Sequence, residues 1–170
     1  SKGLFYMQLR EELSDKYSKV ALEIDYDMPN KVGGYYTRDE IDPDGLITIT
    51  GKANHYIQNG IIAEELGHHE TSYGNILGAY TKSTCKHVEN LKQELKARRL
   101  GFKLAVPLEK LIKCYKQGIW GDLYEMCLTM QIDRSYFHAA IEDYKKQFGN
   151  YVNYEGYHIQ FEPLEIKQID

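Results

Sequence analysis

Ala63-Glu64-Glu65-Leu66-Gly67-His68-His69-Glu70 is the stretch on which the reading of this chain turns. It runs parallel to the zinc-protease pattern His-Glu-x-x-His, with Glu65 and His68 in the places of the general base and the second ligand. Glu64 stands where the first histidine belongs. On a helix, positions 64 and 68 lie one turn apart on one face, so both can point at a single ion. Position 65 is rotated by roughly 100°, which sets Glu65 beside a water on the ion rather than on the ion itself. Zinc accepts carboxylate oxygen as well as imidazole nitrogen, so Glu64 is admissible as a ligand. The added negative charge weakens the Lewis acid and broadens the preference toward harder ions such as Mn²⁺.

A catalytic site of this kind needs a third protein ligand and leaves a fourth position for water. The candidate is Glu94, 26 residues after His68 and on a separate predicted helix. Glu64, His68 and Glu94 would then hold the ion, and Glu65 would take a proton from water and pass it to the leaving amine. The spacing alone is a weak signal, because acidic residues are common on solvated helix faces. His69 and Glu70 read as exposed or supporting groups, and His55, His87, His138 and His158 as ordinary polar or capping histidines. Tyr73 is a candidate donor to a developing oxyanion.

Outward from this motif, apolar periodicity predicts a helix over 7–24 through Leu9, Leu13, Tyr17, Val20 and Ile24. Tyr35-Tyr36-Thr37 and Leu46–Thr50 read as a small antiparallel sheet about the turn Asp42-Pro43-Asp44-Gly45. The motif helix is expected over Tyr56–Glu70, broken by Tyr73-Gly74-Asn75. A long third helix, capped by Ser83, runs toward Pro107. Val88, Leu91 and Leu95 form its apolar stripe, and Ala97, Gly101 and Ala105 a small-residue face for close packing. A fourth helix begins at Pro107, turns Leu108, Leu111, Ile112 and Tyr115 inward, and stops at Gly118. Two further helices, Asp122–Met130 and Arg134–Phe148, meet at Gln131-Ile132-Asp133 with Asp133 as N-cap. A hairpin over 151–161 bends at Glu155-Gly156. Helix, turn, helix, hairpin is the plan of a small winged-helix unit.

The 170 residues are 42% apolar and 27% charged, which excludes wholesale disorder and a coiled-coil rod. No apolar run reaches membrane-span length, and Ser1–Met7 is too poor in apolar residues for a signal peptide. Cys85, Cys114 and Cys127 match no zinc-finger or redox spacing, so a soluble protein in the reducing cytoplasm is expected. The net charge of −4 hides a balance of +7 over residues 82–116, read as a solvated helix face. Residues 119–161 carry three basic and six acidic side chains. A winged helix so charged is not expected to bind DNA directly, since Glu142 and Asp143 would face the duplex or its edge. The fifteen tyrosines read mostly as core-edge residues.

Ile62–His69 resembles the motif helix of the ImmA/IrrE-type metallo-endopeptidases of phages, prophages and mobile elements. A second patch, Glu94-Leu95-Lys96-Ala97 followed by Gly101, Leu104 and Pro107, is similar to that family's Glu-x-x-Ala helix ending in proline. The tail Tyr157–Leu164 resembles the C-terminal ends of prophage members. The resemblance covers most of the chain from about Leu46 onward. With the element order, the expectation is an α+β fold: a zincin-like metallopeptidase part over 1–107 and a helical, winged-helix-like part over 108–170, packed as one unit because no linker divides them. The resemblance further implies a zinc-dependent endopeptidase, with Glu94 as third ligand, that inactivates a helix-turn-helix repressor. The departure is Glu64 in place of histidine. The alternative to catalysis is a binding module that keeps the fold and seizes the repressor without cutting it.

Overall fold

The computed structural model describes residues 8–72 and 84–169, with the side chains of 72 and 84–89 outside that description. Tyr73, the cap Ser83 and the breaker at 73–75 lie outside the described residues, as do the side chains of Cys85, His87 and Val88. Among the described residues the chain is α+β, with six helices and two three-stranded sheets. None of the described helices is long and apolar enough to cross a membrane.

The predicted helix over 7–24 is cut short. It ends as α1 at Leu9–Lys16, and the next segment, Ala21–Asp25, is strand β1. Strand β1 runs parallel to β3 (Leu46–Thr50), and β2 (Gly34–Thr37) runs antiparallel to β3 on its other side. The sheet is therefore mixed, with order β1-β3-β2, not purely antiparallel. β1 was hidden because its pairing with Leu46–Thr50 is non-local, and that partner outweighs the helical spacing of Val20 and Ile24. The central strand is almost wholly buried, Ile49 completely so.

Helix α2 (His55–Ser72) packs across β2 and β3. Asn54 caps it, its side-chain oxygen accepting from the Ile57 N–H at 3.0 Å. Helix α3 (Thr84–Ala105) lies against α2 at backbone contact distance. A Cβ at Gly67 would come 2.0 Å from the Ala97 carbonyl oxygen, and one at Gly101 3.0 Å from that of Ala63. The small-residue face thus turns inward, with Ala97 and Ala105 fully buried. The expected apolar stripe does not: Leu91 and Leu95 are exposed. The two sets are centred about 100° apart around the helix, and close packing of backbones selects the small one.

Two residues after α3, Pro107 caps α4 (Leu108–Lys116). Helices α5 (Leu123–Met130) and α6 (Arg134–Phe148) follow, each with an aspartate at its N-cap. Asp133 accepts from the Ser135 and Tyr136 N–H groups. Strands β4 (Tyr151–Tyr154) and β5 (Tyr157–Phe161) form the expected hairpin, with Glu155 and Gly156 both at positive φ. A third strand absent from the sequence reading, β6 (Leu164–Gln168), pairs with β5 after Pro163. Only Ile166 of β6 is buried, so its pattern carried little signal.

One hydrophobic cluster runs from Leu9 through Ile49, Leu66 and Val106 to Phe137 and Ile159. Polar ties cross the same line. Asn59 of α2, fully buried, accepts from Arg10 at 3.0 Å and donates to the Gln131 carbonyl at 2.8 Å. Lys110 of α4 pairs with Glu12 of α1 at 3.1 Å.

Candidate metal centre

Eighteen residues of α2 place Glu64 and His68 one turn apart, facing α3. The tight crossing at Gly67 and Ala97 brings α3 close enough for Glu94 to reach them. One potential ligand atom from each of Glu64, His68 and Glu94 lies within 4.8 Å of the others. His68 Nε2 and Glu94 Oε2 are 3.5 Å apart. These are the three ligand candidates read from the sequence, and the fold gathers them from two helices. Two carboxylates and one imidazole, all on the wall of an open cleft, could hold a metal ion.

The cleft has a volume of about 480 Å³ and runs between α2, Glu94 and the segment Val32–Tyr36. Strand β2 is the sheet edge along it. Because Gly33 accepts from the Thr50 N–H, alternation along β2 turns the backbone groups of Gly34 and Tyr36 toward the open edge.

Glu65 is on the same wall but deeper, with 9% of its surface exposed. Burial first, and then the charges of Glu64 and Glu94, raise its pKa to about 7. It has no ion-pair partner among the described residues. A carboxylate that titrates near neutrality can both accept and return a proton.

His69 is turned away from the cluster, as its place one residue past His68 requires. Its Nδ1 meets the Tyr36 hydroxyl at 2.8 Å, and its ring packs edge-on against Tyr17 and Tyr36. Burial lowers its pKa, which favours the neutral ring. The residue therefore ties the edge strand to the motif helix. Tyr17, which sequence reasoning left in a helix, stands at the C-cap of α1 and ties that end to the motif helix through a hydrogen bond to Glu70.

The remaining histidines are ordinary where described: His158 Nδ1 meets Asn153 Oδ1 at 2.8 Å, and His55 opens α2 beside Tyr56. Cys114 and Cys127 are free and buried, and burial pushes both thiols up, Cys114 to about 12. They pack as small hydrophobes rather than nucleophiles. Asp143 does not face outward as the winged-helix reading placed it. It is 6% exposed and accepts from Arg99 at 3.1 Å and Gln147 at 2.6 Å.

Comparison with family models, with characterised proteins and with solved structures gives no match. The functional reading therefore rests on the residues and their geometry.

Proposed function

We propose that this chain is a metal-dependent endopeptidase of the ImmA/IrrE type, acting in the cytoplasm on a helix-turn-helix repressor. On this reading the sheet with α2 and α3 is a zincin-like catalytic part, and α5, α6 and the β4–β6 sheet a winged-helix-like end that contacts protein rather than DNA. The observation that carries it is the convergence of Glu64, His68 and Glu94 on one point of an open cleft, with Glu65 buried beside them.

Glu64, His68 and Glu94 would hold Zn²⁺, or Mn²⁺ in its place. When bound, the cation would supply Lewis acidity toward the scissile carbonyl and water. Glu65 takes the proton of the attacking water and returns it to the leaving amine. Its pKa of about 7 suits both steps at neutral pH. The Gly34 carbonyl and the N–H and carbonyl of Tyr36 are edge backbone groups to which an extended substrate segment can add as a further strand, the Gly34 N–H being held by the Val32 carbonyl at 2.9 Å. Such a segment would lie across the cleft with its peptide bond above the ligand cluster.

The test is incubation of the purified protein, loaded with Zn²⁺ or Mn²⁺, with a helix-turn-helix repressor. The expected result is a discrete cut that disappears with chelation and with Glu65→Gln. Loss of activity to below about 1% in that variant fits a general base. A repressor left intact by the loaded wild type contradicts the catalytic reading. Tight binding without cutting would instead favour an anti-repressor module, a reading that Glu64 in the histidine position supports through its weakening of the Lewis acid.

A further inference from the structure

Tyr136 carries the one fully buried side-chain polar atom without a hydrogen-bond partner among the described residues, its hydroxyl oxygen. Buried polar atoms are ordinarily paired, so an orphan of this kind points to a partner that another state supplies. Its surroundings name that state. Tyr136 stands in the first turn of α6, held there by Asp133, which accepts its N–H. Its ring is wedged between the two helices that bear the ligand cluster. On α2 it lies over Gly60, where a Cβ would come 2.9 Å from ring Cδ2. On α3 it meets Phe102, with ring centroids 5.1 Å apart. Gly60 precedes Glu64 by one helical turn on the same stripe. Gly101, the chain neighbour of Phe102, closes on Glu64 itself, since a Cβ there would come 3.0 Å from Glu64 Cα, so the Tyr136 ring lies in the same seam between helices as that residue.

We propose that Tyr136 is a positioning residue of the metal centre, its hydroxyl donating a hydrogen bond to the Glu64 oxygen that does not hold the ion. The inference rests on the metal-centre reading above. A glutamate ligand has more side-chain torsions than a histidine, and one of its oxygens is left over when the other is committed. Ligating carboxylates are commonly steadied by just such an outer donor. Here the donor comes from α6, so the helical second part of the chain completes a site built on the first. Gly60 is what lets the ring approach.

The test is Zn²⁺ affinity, read by competition with a chromophoric chelator, for wild type and Tyr136→Phe. Phenylalanine keeps the ring packing and removes only the hydroxyl. The expected result is roughly ten-fold weaker Zn²⁺ binding in the variant, with the metal-free melting temperature unchanged or higher. In a Glu64→His background, where the ligand has no second oxygen, the same substitution should change affinity by less than about two-fold. Equal affinity in wild type and Tyr136→Phe overturns the proposal, as does an equal loss in both backgrounds, which would mean the hydroxyl acts through packing. A wild type that takes up no Zn²⁺ removes the metal centre itself, and this inference with it.

Discussion

Asp143 and Glu65 are both buried carboxylates, one on α6 in the second part of the chain and one on α2 in the first. Asp143 receives Arg99 and Gln147, and its neighbour Tyr144 donates to the Val106 carbonyl at 2.8 Å. Every part of that corner is paired. Glu65 sits instead with Glu64 and Glu94, two further negative charges, and has no ion-pair partner among the described residues. The first arrangement is what folding alone selects, since a buried charge is tolerated when matched. The second works against stability, and it sits where the helices approach most closely and the cleft opens. Like charges gathered in a cleft, with one pKa pushed toward neutrality, support the catalytic role proposed above for this site.

That contrast can be broken in three ways. The largest effect is expected at the crossing. Glycine-to-alanine in a helix ordinarily stabilises by up to about 1 kcal/mol. Gly67→Ala should reverse the sign and destabilise by about 3 kcal/mol, because the new methyl meets the Ala97 carbonyl. Urea unfolding measures the loss, and Zn²⁺ uptake should fall with it as α3 carries Glu94 away.

Next comes the pH dependence of the metal-free protein. Glu65 has a folded-state pKa above its ordinary 4.5, at about 7. Its contribution to stability is therefore complete below about pH 4.5 and is lost as pH rises through about 7. The loss amounts to roughly 3 kcal/mol. Unfolding free energies of wild type and Glu65→Gln, compared at acid and alkaline pH, should diverge by that amount, with the glutamine variant the more stable at the alkaline end.

The smallest effect is at the matched carboxylate. Asp143→Ala should cost about 2 kcal/mol in thermal or urea unfolding. It should leave Zn²⁺ affinity unchanged, since nothing in that corner touches the cluster. A change in affinity there would mean the two regions are not separable in this way.

Much of this was readable in the chain itself. The i, i+4 spacing of Glu64 and His68 needs only a helix, and the small face of Ala97, Gly101 and Ala105 announced the close crossing that delivers Glu94. Asp133 as a cap and Glu155-Gly156 as a hairpin bend follow from local chemistry, and local chemistry is what a single sequence carries best. Strand β1 was illegible because its partner lies more than twenty residues away and its own residues follow a helical spacing. Leu91 and Leu95 misled because hydrophobicity was weighed above the shape of the surface they would have to meet. Tyr136 gave no signal at all among fifteen tyrosines. Only the fold shows its hydroxyl to be orphaned.

The most direct test of the central claim is metal content by elemental mass spectrometry after reconstitution with Zn²⁺, for wild type, His68→Ala and Glu94→Ala. The account predicts about one equivalent in the wild type and almost none in either variant. Uptake by both variants equal to the wild type, or no uptake by any of the three, would contradict it.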